Sequence, residues 1–311
     1  MQFVNYRSQD DWRLGVEHQG HIVDVASLNV PSSNQLTTLR ALLLAGFETM
    51  EAVLQQAKAA LSAQVPGLLA LETVELGPPV PDPDKIICLG LNYAEHAAEA
   101  QMNIPDTPVL FAKFRNSLVG PYSPIVLPKV STEIDYEGEL AVIIGRRCKE
   151  VSVENALSYV AGYAVFDDVS ARDLQMRTSQ WVLGKALDTF GPMGPGMVPA
   201  SEIPDPQHLQ ITTRVNGTIL QQGNTEEMIF PIATIISFIS SVMTLEPGDV
   251  IATGTPAGVG FKRVPPIFLK EGDIVEVEIE RIGLLRNLVV APGSEHASVA
   301  GSATVPSVKA H

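Results

Sequence analysis

The sequence predicts an α+β fold rich in strands, with a small N-terminal α/β domain over residues 1–75 and a larger β-rich body over 86–290. Three observations predict it. From Ile86 onward, short apolar runs bounded by Pro and Gly recur at strand length: Ile86–Leu91, Glu139–Ile144, Gly162–Phe166, Leu209–Val215, Val250–Thr253, Ile274–Ile279 and Leu285–Val290. In that stretch only Val153–Val160 and Ile232–Met243 have helical spacing. Ahead of it, Leu76-Gly-Pro-Pro-Val-Pro-Asp-Pro-Asp-Lys85 carries four prolines, which continue neither a helix nor a central strand, so 76–85 reads as a linker.

The elements follow in order. Gln2–Tyr6, Trp12–Glu17 and His21–Val25 have strand-like composition. From Thr38 to Ala63, Leu39, Leu42, Leu43, Phe47, Val53, Leu54 and Leu61 recur at helical spacing and predict one helix. In the larger body, Asn216-Gly217 between Val215 and Thr218 signals a hairpin. Residues 291–311, rich in Ala, Ser and Val after Pro292-Gly293, read as a mobile C-terminal tail. The chain contains no internal repeat.

Composition narrows the function classes. Hydrophobic residues make up 45% and charged ones 18%, a globular balance in a chain of 311 residues. A net charge of −14, with no local cluster of Lys and Arg, argues against a nucleic-acid partner. The two cysteines, Cys88 and Cys148, lie in apolar stretches and read as reduced core residues; no zinc-ligand spacing exists. The N-terminal Met-Gln-Phe-Val-Asn-Tyr-Arg is no secretory signal, and no apolar run reaches membrane-spanning length. The default expectation is a cytoplasmic protein without a membrane partner.

The most informative motif is Glu137-Gly-Glu139 at the head of an apolar run, with Asp168 downstream. Residues two apart on a strand project from the same face, so the two glutamates point together. Acidic side chains at the edge of a core are costly unless compensated. A hard divalent cation such as Mg²⁺ or Mn²⁺, which prefers oxygen ligands, is one compensator. The alternative is a strand end whose glutamates face solvent or pair with Lys and Arg. Asp167 would point away from Asp168 on a strand, so only one of the two suits a ligand role.

Other segments could complete a site. In Asn92-Tyr-Ala-Glu-His-Ala-Ala-Glu99, a helical turn would set His96 and Glu99 side by side, a carboxylate-supported base or an ordinary surface pair. Arg172 could bridge a neighbouring carboxylate, and Gln175 could read a substrate oxygen. Lys185, and equally Lys113, could neutralise a carboxylate or a developing enolate, or be solvated. Thr253-Gly-Thr-Pro-Ala-Gly-Val-Gly260 lacks the Gly-Lys-Ser/Thr ending of a nucleotide loop. It reads better as a turn offering backbone N–H groups and the Thr255 hydroxyl to a carboxylate.

In this order, the segments resemble the fumarylacetoacetate hydrolase superfamily from about Lys85 to Val290. The matching motifs are Gly90-Leu-Asn-Tyr-Ala-Glu-His96, Tyr136-Glu-Gly-Glu-Leu140, Asp168-Val-Ser-Ala-Arg-Asp173, Gly184-Lys-Ala-Leu-Asp-Thr-Phe-Gly-Pro192 and Pro247-Gly-Asp-Val-Ile-Ala-Thr-Gly-Thr-Pro-Ala-Gly-Val-Gly260. Gln180-Trp-Val-Leu-Gly-Lys185 and Pro265-Pro-Ile-Phe-Leu-Lys-Glu-Gly-Asp273 resemble the fumarylacetoacetate hydrolase domain-containing proteins.

The resemblance implies a rolled mixed β-sheet catalytic domain, usually in a homodimer. It implies Mg²⁺, or Mn²⁺ or Ca²⁺, on Glu137, Glu139 and Asp168, with His96 and Glu99 activating water. Lys185, Gln175 and Thr255 would contact a 2-oxo carboxylate and Arg172 would support the site. The tail after Val290 and the residue following Lys113 depart from the family pattern. The leading expectation is hydrolytic C–C cleavage of an acylpyruvate-type substrate through a metal-stabilised enolate. Oxaloacetate decarboxylation and keto–enol tautomerisation use the same enolate and stand as alternatives. A non-catalytic, metal-stabilised binding protein is the remote one.

Overall fold

A computed structural model describes residues 1–9, 11–99 and 103–294. From residue 295 on, the expected C-terminal tail lies outside the described residues. A 12-stranded sheet runs through the molecule. Its N-terminal half holds Gln2–Ser8, Asp11–His18 and His21–Asp24; its other half holds Gly191–Pro199, Val160–Asp167, Gly138–Ile144, Val250–Ala252, Ile86–Gly90 and Val109–Lys113, in that spatial order. The two halves join where Gln2–Ser8 pairs with Gly191–Pro199, Phe3 opposite Met197.

The strand Gly138–Ile144 is apolar along its length because it has a core on each face. Leu140, Val142 and Ile144 pack into a cluster with the helix Ile232–Val242, whereas Ala141 and Ile143 join the cluster of the N-terminal helices. A second, five-stranded sheet (Thr218–Asn224, Gln210–Val215, Ile274–Ile279, Gly283–Val290 and Ile125–Val126) lies against the head of this strand. The Asn216-Gly217 turn closes its hairpin, both residues at positive φ as such a turn requires.

The structure departs from the sequence expectations in two instructive places. The helix expected over Thr38–Ala63 is two, Leu39–Leu44 and Phe47–Ser62, because Gly46 at φ 96° breaks the first and starts the second. Gly191-Pro-Met-Gly-Pro-Gly-Met-Val-Pro199, where the sequence predicts no strand, is a strand with neighbours on both sides. Its register against Val160–Asp167 shifts between Tyr163 and Val165, so Pro195 falls in the irregularity and a missing N–H breaks no regular ladder.

Candidate functional site

The head of the strand Gly138–Ile144 explains the Glu-Gly-Glu sequence. A Cβ on Gly138 would stand 2.2 Å from Thr213 Oγ1 and 2.9 Å from Val277 Cγ1, both in the five-stranded sheet. With Gly138 pressed against that sheet, Glu137 and Glu139 project from the opposite face. Asp168 joins them because its N–H donates to the Glu137 carbonyl at 2.9 Å, where the Val160–Asp167 strand ends. One carboxylate oxygen from each of Glu137, Glu139 and Asp168 lies within 4.8 Å of the others, and all three residues are buried.

Three buried cations surround the carboxylates. Arg172 donates to Glu137 Oε1 at 2.6 Å and to Asp135 Oδ2 at 2.9 Å. Lys185 Nζ bridges Glu137 Oε2 at 2.6 Å and Asp168 Oδ2 at 2.7 Å. Lys113 Nζ holds the other Asp168 oxygen and the Val169 carbonyl. Glu139 accepts the Gly254 N–H at 2.8 Å, and Asp167 accepts the Glu137 N–H at 2.9 Å. Formally the five buried carboxylates Asp135, Glu137, Glu139, Asp167 and Asp168 exceed the three cations by two charges.

Titration behaviour follows this imbalance. Burial opposes ionisation of Glu137, but Arg172 and Lys185 hold its carboxyl well below the usual range. Burial, reinforced by the charges of Asp168 and Glu137, raises Glu139 well above it. Burial pushes Asp167 up to about 7. A cluster short of two positive charges, with three hard oxygen donors converging, fits a divalent cation of the Mg²⁺, Mn²⁺ or Ca²⁺ kind.

Glu137 and Glu139, with Asp168 beside them, form the floor of a cavity of about 210 Å³ that His96, Arg172, Gln175, Lys185 and Thr255 also line. Leu89, Leu91, Phe111, Met176, Trp181 and Phe261 supply its apolar walls, and Lys262 lies among the lining residues. His96 is carried by the helical turn Ala94–Glu99, with Glu99 Oε2 3.6 Å from Nδ1, an ion-pair separation rather than a hydrogen bond. Glu99 also accepts the Gly258 N–H at 3.0 Å; against the effect of burial, His96 and this N–H lower its pKa. Gln175 Oε1 accepts from Arg172 Nη1 at 3.0 Å, so its amide N–H₂ is the end left for a ligand. The Thr255 hydroxyl is engaged already, donating to the Gly138 carbonyl at 2.9 Å and accepting from Gln221 at 2.7 Å.

The structure thus gathers eight of the nine sequence-derived residues at one cavity or its carboxylate floor, with Glu99 behind His96. Sequence reasoning did not select Asp135 and Asp167, and it left Lys113 open. The signal for Lys113 was available: a lysine closing the apolar strand Val109–Lys113 must find a buried partner.

The sequence profile described as fumarylacetoacetate (FAA) hydrolase C-terminal matches residues 85–290. The chain belongs to the fumarylacetoacetate hydrolase family. Among its relatives, the mitochondrial oxaloacetate tautomerase Fahd2a of Rattus norvegicus is 49% identical over 244 residues, and FAHD2A of Homo sapiens 49% over 245; each alignment covers 78% of both chains. The solved fumarylacetoacetate hydrolase of the psychrophile Exiguobacterium antarcticum superposes with a TM-score of 0.80 at 39% identity, covering 94% of this chain and 99% of its own. An α+β hydrolase-family fold is therefore established for this member. The cytoplasmic expectation is corrected, because both tautomerases are described as mitochondrial. It rested on the lack of a secretory signal and of a spanning run, features that do not separate cytosol from mitochondrion. No helix among the described residues is long and apolar enough to cross a membrane.

Proposed function

We propose that this chain interconverts the keto and enol forms of oxaloacetate at the Glu137–Glu139–Asp168 cluster, with a divalent cation as cofactor. The observation that carries the reading is the 49% identity to two proteins named oxaloacetate tautomerases. It displaces C–C hydrolysis as the leading expectation, and the carboxylate-lined cavity suits it.

Enolisation breaks the C3–H bond and forms an O–H bond at the keto oxygen, so the site must hold and return protons without admitting bulk water. Glu137, Glu139 and Asp168 would hold a Mg²⁺ or Mn²⁺ ion, which supplies Lewis-acid stabilisation of charge on the keto oxygen. His96 takes the C3 proton and, as the imidazolium, returns one to the keto oxygen. Glu99, at 3.6 Å, stabilises the imidazolium that results. Arg172 and Lys185 keep Glu137 ionised and fixed in place. The Gln175 amide orients the substrate carboxylate. The apolar walls, with Trp181 meeting Phe111 edge to face at a centroid distance of 5.4 Å, exclude water.

Hydrolysis of an acylpyruvate remains the second reading, favoured by the likeness to the Exiguobacterium hydrolase and by the same His96–Glu99 pair acting on water. NMR of metal-loaded protein with oxaloacetate in D₂O separates the readings. Enzyme-dependent C3 exchange with oxaloacetate conserved is the expected result, measured against the same metal without protein. Stoichiometric CO₂ and pyruvate, or faster cleavage of an acylpyruvate, would overturn it. A homodimer is also expected for the chain in solution.

A further inference from the structure

The cavity's cations differ in whether they are free to meet a ligand. Arg172 is consumed by Asp135 and Glu137, and Lys185 by Glu137 and Asp168. Lys262 lines the same cavity and has neither an ion pair nor a hydrogen bond with any described residue. Its ammonium lies over the face of Phe261, 5.0 Å from the ring centroid. The turn that carries it is fixed to the carboxylate cluster. Gly260 and Phe261 donate their N–H groups to the two Asp135 oxygens at 2.8 and 3.1 Å, and Asp135 holds Arg172. The Arg172 guanidinium stacks on the same Phe261 ring at 4.3 Å, so at most the sum of two short distances separates it from the Lys262 ammonium.

We infer that Lys262 is the specificity-determining residue of this site, receiving the second carboxylate of a dianionic 2-oxo acid while the 2-oxo end faces the carboxylate cluster. The inference rests on the reading that the site takes a 2-oxo acid, and it narrows the substrate class to dicarboxylates. The charge fits. A second carboxylate brought into a cavity with an acidic floor needs a cation not already neutralised, and an ammonium on a fixed turn pays less ordering entropy than one on a mobile loop.

The test compares oxaloacetate with 2-oxobutanoate, its monocarboxylate counterpart of equal length, by C3 proton exchange on metal-loaded wild type, Lys262→Gln and Lys262→Arg. Lys262→Gln should raise KM for oxaloacetate roughly tenfold, with kcat and the KM for 2-oxobutanoate within about twofold of wild type. Lys262→Arg should restore most of the loss. Equal KM changes for both acids, or no change for either, overturns the inference. If wild type exchanges neither acid, the functional reading fails, and calorimetry of the two acids binding to the same proteins decides on Lys262. A loss of roughly tenfold confined to the dicarboxylate supports it, and any other pattern overturns it.

Discussion

Asp167 stands beside the carboxylate cluster as an ionisable group with little to gain from its charge. Its Oδ1 accepts the Glu137 N–H, while its buried Oδ2 has no partner among the described residues. Burial raises it from 3.8 to about 7, so folding takes up a proton between those values. The stability this group contributes is full below about pH 4 and is lost as pH rises through about 7. Replacing Asp167 with Asn keeps the shape and abolishes the charge. At roughly 1.4 kcal/mol per pH unit, the cost of ionising Asp167 at pH 8 is about 4 kcal/mol. An amide N–H₂ facing the unpaired position costs about 1–3 kcal/mol of this. The metal-free variant should therefore gain about 1–3 kcal/mol at pH 8, roughly 2–5 °C in Tm, and be slightly destabilised at pH 5. Thermal melts with chelator present, from pH 5 to 8.5, give the curve. A variant less stable than wild type at pH 8, or an effect that does not change with pH, would refute the burial argument.

Two further outcomes test the proposed chemistry. His96→Gln should lower the C3 exchange rate on oxaloacetate by about 10²–10⁴-fold while leaving calorimetric Mg²⁺ or Mn²⁺ affinity intact, and retained exchange defeats the base assignment. Glu139 is raised well above its usual range by burial and by Asp168 and Glu137, so a cation binding there displaces a proton and its affinity rises with pH. Mg²⁺ or Mn²⁺ at about a hundred times Kd should raise the wild-type Tm by roughly 4 °C, and Glu139→Gln should remove most of that shift. An undiminished shift in the variant would move the metal elsewhere.

What the sequence disclosed and what it hid divide along a physical line. Strands with one continuous apolar run, such as Gly138–Ile144, were legible because burial on both faces leaves no polar interruption. Glu137, Glu139 and Asp168 were legible because carboxylates at the end of such runs demand compensation. The turns Arg172–Gln175 and Val182–Lys185, which carry three site residues, span four residues each and are too short for any period to register. The strand Gly191–Pro199 was hidden by its own composition, since its prolines argue against a central strand, and the register slip that accommodates Pro195 is a property of the partner strand. Asp135 was invisible for another reason. Its role is to join the Gly260–Phe261 amides to Arg172, and nothing local in the chain announces a contact more than a hundred residues away.

That link also bears on how an acidic protein with an acidic site would take the acidic substrate proposed for it. The cations of the recognisable motifs are used inside the cluster, where Arg172, Lys185 and Lys113 each rest on buried carboxylates. Such ion pairs fix geometry and offer an incoming anion little net attraction, because their charge is already matched. Attraction must therefore come from charge that the cluster lacks. On the proposed reading a divalent cation would fill that deficit at the carboxylate cluster, and Lys262, outside the family motifs and without an ion pair among the described residues, would supply it elsewhere in the lining. Metal affinity and substrate affinity are then coupled in sign, since removing the cation returns the floor to net negative charge, whereas removing Lys262 weakens only an acid with a second carboxylate to offer.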